Sequence, residues 1–217
     1  MTVIALESST LRPSVAVWHG GRCLQAWLST ERSHAADLLP SVSALLHRLD
    51  RTPGDVSRIV VGRGPGSYTG LRVAAATALG VARGTGAAIG GLSSFEALAW
   101  RELAVGGRCA VLLDARAGEA YWAVLARDAA DVRFEVEPSV ARSEDVAALL
   151  PREVAIFSSA GIEKSVRLDD EQRARVRVDA VPQASALLEL ALARGGRVGS
   201  DIEPLYLRAF AAKPRRA

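Results

Sequence analysis

Apolar positions along the first hundred residues alternate between a strand period and a helix period, and each switch marks an element. Val3-Ile4-Ala5-Leu6 is an unbroken apolar run and predicts a buried strand. Ser14 to Trp18 predicts a second, Gly20-Gly21 a hairpin turn, and Cys23 to Leu28 a third strand. From Ala35 to Leu49 the period lengthens. Ala35, Leu38, Leu39, Val42, Leu45, Leu46 and Leu49 fall on one helical stripe. Pro40 lies near its start and predicts a first turn or a kink, since an interior proline costs about 3 kcal/mol. Arg58 to Gly62 predicts a strand that feeds a Gly-rich loop. Leu71 to Val81 predicts a helix and Ala87 to Gly91 a strand. A further helix starts near Ser93, which has capping-box spacing to Glu96.

The second half repeats this order. Cys109 to Leu113, Ala120 to Ala126 and Val132 to Val136 predict three strands, Ser143 to Leu150 a helix, and Val154 to Phe157 a strand. Gly161 opens a loop. Val176 to Val178 predicts a short strand, and Ala184 to Ala193 a helix stopped by Gly195-Gly196. Both halves therefore read βββ-α-β-α, with a boundary near Gly106-Gly107 that gives lobes 1–106 and 107–217. This is the pattern of an α/β protein whose mixed sheets carry helices on their faces. The repetition is of pattern and not of letters.

Composition narrows the class. The 217 residues are 49% hydrophobic and 24% charged, as in ordinary globular chains. No apolar run approaches the roughly 20 residues a membrane span needs, and Met1 to Leu6 runs straight into a strand pattern instead of a leader. A cytoplasmic protein is expected. Cys23 and Cys109, far apart and both in strand-like runs, are expected to be buried free thiols. The formal charge is +3, and the one basic cluster, Lys213-Pro214-Arg215-Arg216, reads as a solvated chain end. His19, His34 and His47 lack metal-ligand spacing, so no metal site is expected.

The candidate functional centre is Gly64-Pro65-Gly66-Ser67-Tyr68-Thr69-Gly70. A strand, a Gly-rich turn and a helix N-terminus together can cradle an anion. The Walker lysine is absent, however, and a dinucleotide fingerprint would follow the first strand instead of the fourth. Taken alone, the turn reads equally as a structural device or a ligand site. Glu7-Ser8-Ser9, after the first strand, occupies a place where nucleotide-binding folds put a phosphate or metal residue. Glu7, Ser8, Ser9, Gly64 and Gly66 are the candidate contacts for a weakly held anion or nucleotide in a cleft; no other cofactor is expected. Asp114-Ala115-Arg116 occupies the matching spot in the second half, with Arg116 expected to pair with Asp114 or Glu119. Ala74, Ala75, Ala76, Ala78, Gly80 and Ala82 put small side chains on nearly every face of the helix after the turn, which permits close approach of another helix.

The stretch Gly64 to Arg72 with its small-residue helix resembles the signature of the bacterial TsaB (YeaZ) family of tRNA threonylcarbamoyladenosine biosynthesis proteins. Further matching pieces are Ala5 to Ser9, His34 with Leu38-Leu39-Pro40, Gly91 to Ala99, Asp114-Ala115-Arg116, and Pro204 to Arg208. The resemblance implies an actin-like/Hsp70-like fold of two lobes. It also implies a non-catalytic role in transferring a threonylcarbamoyl group to the tRNA adenosine beside the anticodon. The implied partners are the catalytic paralogue TsaD and the ATPase TsaE, with tRNA engaged indirectly and self-association through the same helices. Those helices are roughly Ala35–Leu49 and Leu71–Val81. The interface residues so implied are Leu38, Leu39, Val42, Leu45, Leu46, Ser67, Tyr68, Thr69, Leu71, Arg72, Ala75 and Leu79, with no catalytic residue. Glu7 departs from the aspartate common in the family and matches the catalytic paralogue. Ser93-Ser94-Phe95-Glu96-Ala97 stands where that paralogue has a His-x-x-x-His metal pair. The competing reading is an ATP-dependent transferase or metallopeptidase-like enzyme of the same fold.

Overall fold

The computed structural model describes residues 1–28 and 34–207, without the side chains of 34–36 and 163. Expectations resting on the side chains of His34 and Ala35, on Arg208 and on the Lys213–Arg216 cluster lie outside the described residues. Two five-stranded sheets form the frame. The first contains β1 (Thr2–Glu7), β2 (Ser14–His19), β3 (Arg22–Trp27), β4 (Val56–Gly62) and β5 (Ala88–Leu92), in the order β3-β2-β1-β4-β5. The second contains β6 (Arg108–Arg116), β7 (Glu119–Arg127), β8 (Val132–Arg142), β9 (Ala155–Ser158) and β10 (Val176–Arg177), in the order β10-β9-β6-β7-β8. The orders are the same with strand n matched to strand n+5. In both, the first three strands pair antiparallel and the last two parallel.

The helices complete five layers. On the outer face of the first sheet lie α1 (His34–Arg48) and α2 (Tyr68–Thr85). Between the sheets lie α3 (Ser94–Glu102) and α6 (Ala184–Ala193), which pack on each other. The outer face of the second sheet carries α4 (Ser143–Leu149), with α5 (Asp170–Ala174) following later in the chain. Strand alternation sorts the cores. Ile4, Leu6, Val15, Val17, Ile59 and Val61 face α1 and α2, while Val3, Ala5, Ala16 and Val60 face the central layer. Cys109, Val111, Leu113, Ala123 and Leu125 face that layer from the other side, and Ala110, Leu112, Trp122, Val124 and Ile156 point outward to a third cluster. Sheets covered on both faces need continuous apolar strands, which is why β1, β4, β6 and β7 read as runs.

The central helices cross over. α3 follows the first sheet in sequence but packs on β6, β7 and β8, and α6 follows the second sheet but packs on β1, β2, β3 and β4. The strands divide on either side of Gly106-Gly107, whereas the central helices are exchanged. Arg194, at the end of α6, donates to Glu96 of α3 (2.7 Å) and Asp131 before β8 (2.6 Å), and fastens the exchange.

Several expectations are corrected. Pro40 lies within α1 and not in its first turn. β8 extends to Arg142, through Pro138, because an edge strand has no second neighbour to which that missing N–H must donate. α5 has no apolar stripe; its signal is the capping box of Asp169 with Gln172. Cys109 is buried, and burial pushes its thiol up to about 12, but Cys23 is exposed on β3; both are free. No helix among the described residues is long and apolar enough to cross a membrane.

Candidate functional site

The turn between β4 and α2 is fastened to the end of β1. Ser67 N–H donates to the Ser9 carbonyl at 2.7 Å. A Cβ on Gly66 would stand 2.1 Å from that carbonyl oxygen, and one on Gly70 would stand 2.0 Å from that of Ser8. Only glycine lets the two backbones approach this closely. Ser67 is the N-cap of α2, its hydroxyl accepting from Gly70 N–H at 3.2 Å. Two of the N–H groups that could face an anion, those of Ser67 and Gly70, are thus engaged within the chain.

Glu7 is the second fastening. It is 1% exposed. One carboxylate oxygen accepts from Ser9 N–H at 2.7 Å, and the other from the Ser94 hydroxyl at 2.8 Å. Ser94 Oγ accepts in turn from Gly64 N–H, and the Gly64 carbonyl accepts from Ser93 Oγ and Ser94 N–H. Burial pushes the Glu7 carboxyl above its ordinary range, against the opposing effect of hydrogen bonds from Ser9, Ser94 and Ser8. Glu7 therefore joins β1, the turn and the start of α3. Ser93, read from sequence as a helix cap, also belongs to this network.

A cleft of about 860 Å³ opens between the lobes. Ser9, Thr10, Gly66, Ser67 and Thr69 line one wall, and Asp114, Arg116, Ser159 and Asp179 line the other. Of the five candidate anion contacts, Ser9 and Gly66 reach this cleft; Glu7, Ser8 and Gly64 do not line it. Arg116 pairs with Asp114 at 3.2 Å, one of its two expected partners. Among the described residues, no three His, Cys, Asp or Glu side chains gather as a metal-ligand set.

The predicted interface residues separate into two groups. Leu38, Val42, Leu45, Leu46 and Leu71 are buried within the chain, so the expectation that they face a partner is corrected. The four from α1 cover the first sheet, and Leu71 packs against the Gly64 turn. Ser67 and Ala75 are half-buried. Leu39 (50%), Tyr68 (42%) and Leu79 (43%) are exposed, as are Thr69 and Arg72. The predicted interface set left out their neighbours Ser43, Ala44, Ala76 and Gly80, also exposed, although Ala76 and Gly80 are among the small residues the sequence singled out. Helical phase could have found them: Ser43 is one turn from Leu39, and Ala76 and Gly80 are one and two turns from Arg72.

Duplicated lobes of identical strand order with exchanged central helices define an actin-like/Hsp70-like protein, here with a Gly-rich turn bound tightly to the end of its first strand. Comparison with known proteins gives the particular family. A family model described as TsaD, tRNA N6-adenosine threonylcarbamoyltransferase, matches residues 28–167. The Escherichia coli tRNA threonylcarbamoyladenosine biosynthesis protein TsaB is 34% identical over 59% of this chain and 56% of its own length. The Haemophilus influenzae protein of the same name is 28% identical over 96% of this chain and 94% of its own. The structure of YeaZ from Pseudomonas aeruginosa superposes with a TM-score of 0.81 at 32% identity, covering 95% of this chain and 99% of that one. The match to the Escherichia coli relative thus spans little more than half of that protein. The chain belongs to the TsaB (YeaZ) family, within the wider group of TsaD-type domains.

Proposed function

We propose that this chain is a non-catalytic subunit in tRNA threonylcarbamoyladenosine biosynthesis, acting in threonylcarbamoyl transfer to the adenosine beside the anticodon. It activates a catalytic TsaD paralogue through the outer face of α1 and α2, with the ATPase TsaE joining the pair. Relatives named for this pathway support the reading. The carrying observation is the outer face itself. Leu39 and Leu79 stand exposed there, and a Cβ built on Gly80 or Gly84 would meet nothing within 4 Å. Small residues beside exposed leucines suit a close helix–helix contact. The burial of Glu7 supports a subunit over an ATP-dependent transferase or metallopeptidase, because the residue that motivated the enzyme reading is sealed beneath the turn.

The structure also selects the variants that test this. Val42 is buried, so an aspartate there would damage the fold. Leu39→Asp with Leu79→Asp places charges on the outer face alone. The double variant is expected to keep the wild-type Tm and to bind the paralogue about 100-fold more weakly in calorimetry, with matching loss of tRNA modification in the reconstituted system. Unchanged affinity would overturn the reading.

A further inference from the structure

After α6 the chain does not return to the second sheet. Residues 197–207 run as a strap along the free edge of the first one. Gly91 N–H of β5 donates to the Gly199 carbonyl at 3.0 Å, and Leu205 N–H to the Arg63 carbonyl at 2.8 Å. The Arg63 side chain grips the strap from below, donating to the Glu203 carbonyl at 2.8 Å and pairing with Asp201 at 2.5 Å. Held at these points, the strap delivers Tyr206 to the first turn of α2, where its ring lies 5.2 Å from that of Tyr68 at an interplanar angle of 38°. The Arg72 guanidinium stands 5.0 Å from the Tyr68 ring and also hydrogen-bonds the Tyr68 hydroxyl. Arg72, Tyr68 and Tyr206 thus form a continuous stack, and Tyr68 and Tyr206 keep 42% and 46% of their surface exposed.

We infer that the partner surface continues beyond α2 onto this strap, with Tyr206 as an anchor supplied by the segment that follows α6. The inference rests on the reading proposed above. Tyrosine and arginine are the residue types that concentrate binding energy, because they combine large rigid contact area with hydrogen-bonding ends. The stack is continuous with the Leu39–Leu79 face, since Tyr68 opens α2 and Arg72 is one turn further along. The occupant is therefore the same partner. It lays an apolar helix along α1 and α2 and seats an aliphatic or aromatic side chain on the two tyrosine rings. The second consequence is a physical link between lobes. The strap begins where α6 ends, so the packing of the central layer sets where Tyr206 stands.

The test compares Tyr206→Ala, Tyr206→Phe and Leu79→Asp for affinity to the TsaD-type paralogue, with Tm as the fold control. Tyr206→Ala is expected to weaken binding about 10-fold, Tyr206→Phe to stay close to wild type, and Leu79→Asp to weaken binding far more than either. If Leu79→Asp abolishes binding and Tyr206→Ala does not change it, the strap is outside the interface and this inference fails alone. If neither matters, the proposed function fails as well. Equal losses in Tyr206→Phe and Tyr206→Ala would also overturn it, because ring stacking would not be the cause. Hydrogen exchange on the wild-type chain gives a readout independent of folding defects. The amides of Glu203, Leu205 and Tyr206 should gain protection on complex formation, and their unchanged exchange would overturn the inference.

Discussion

The two lobes share one strand order but differ in what they attach to it. In the first, β4 leads through the Gly-rich turn into an 18-residue α2, beside a 15-residue α1. In the second, β9 leads through Ser159-Ala160-Gly161 into one short 3₁₀ turn and a five-residue α5, beside a seven-residue α4. One seven-residue helix, with Ile162, Val166 and Leu168 of the segment that follows β9, suffices to bury the outer face of the second sheet. The length of α1 and α2 therefore exceeds what covering a sheet of this size requires. That excess, with Leu39 and Leu79 exposed on it, is the difference between the lobes on which the proposed partner face rests.

The strand ends differ in the same way. Glu7 is buried and tied to the turn and to α3. Its counterpart Asp114 is exposed and bonds locally, to the backbone and guanidinium of Arg116. The first lobe spends a buried carboxylate and two close backbone approaches on fixing where α2 begins. In the second lobe the corresponding loop is tied to β6 through Ser159, whose N–H donates to the Leu112 carbonyl at 3.1 Å and whose hydroxyl accepts from Asp114 N–H at 3.4 Å, with no buried carboxylate in the link. The proposed function accounts for this difference, since a helix that presents a face to a partner needs a fixed origin.

The sharpest test of this contrast is a methyl group in each loop. Gly70→Ala places a carbon 2.0 Å from the Ser8 carbonyl oxygen and is expected to cost about 3 kcal/mol or more, because backbone must move. Gly161→Ala, at φ 88° with open space around it, should cost only about 1–2 kcal/mol of backbone strain. Denaturant unfolding of both variants measures the difference, and equal losses would break the comparison.

Glu7 gives the second test. Its carboxyl is raised by burial, so the folded state holds the proton more tightly than the unfolded state. The contribution is then full below the ordinary glutamate range and is lost as pH rises through the folded value. Glu7→Gln removes that ionisation. The variant's Tm should fall less steeply than the wild type's as pH rises from about 4.5, and parallel curves would show that Glu7 does not titrate between the two states.

The smallest effect is expected at the caps. Ser67→Ala and Asp169→Ala each remove a helix N-cap and should cost about 1 kcal/mol. Only the first should also weaken paralogue binding, since α2 carries part of the proposed face and α5 does not. Equal effects on binding, measured by calorimetry, would remove the distinction between the lobes.

Much of this architecture is legible in the chain. Periodicity locates strands and helices because residue spacing of two or 3.6 is a local property. The Gly64–Gly70 turn stands out by composition alone. Legibility fails where a residue's role depends on a distant neighbour. Leu38 and Leu39 are adjacent and chemically identical, but one is buried and the other half exposed, because a helix 15 residues long turns them to different sides of the sheet it covers. A stripe of seven apolar residues did not say which edge of it was left uncovered.

By itself, then, the sequence determined the elements, their duplicated order and the position of the turn, all set by backbone sterics and short-range hydrophobic spacing. The tertiary structure decided the exchange of α3 and α6 between sheets and the sealing of Glu7. It also decided why Gly66 and Gly70 must be glycine and brought Tyr206 onto Tyr68. Each of these rests on contact between segments separated by tens of residues or more, where close packing chooses the partner and local pattern carries no information.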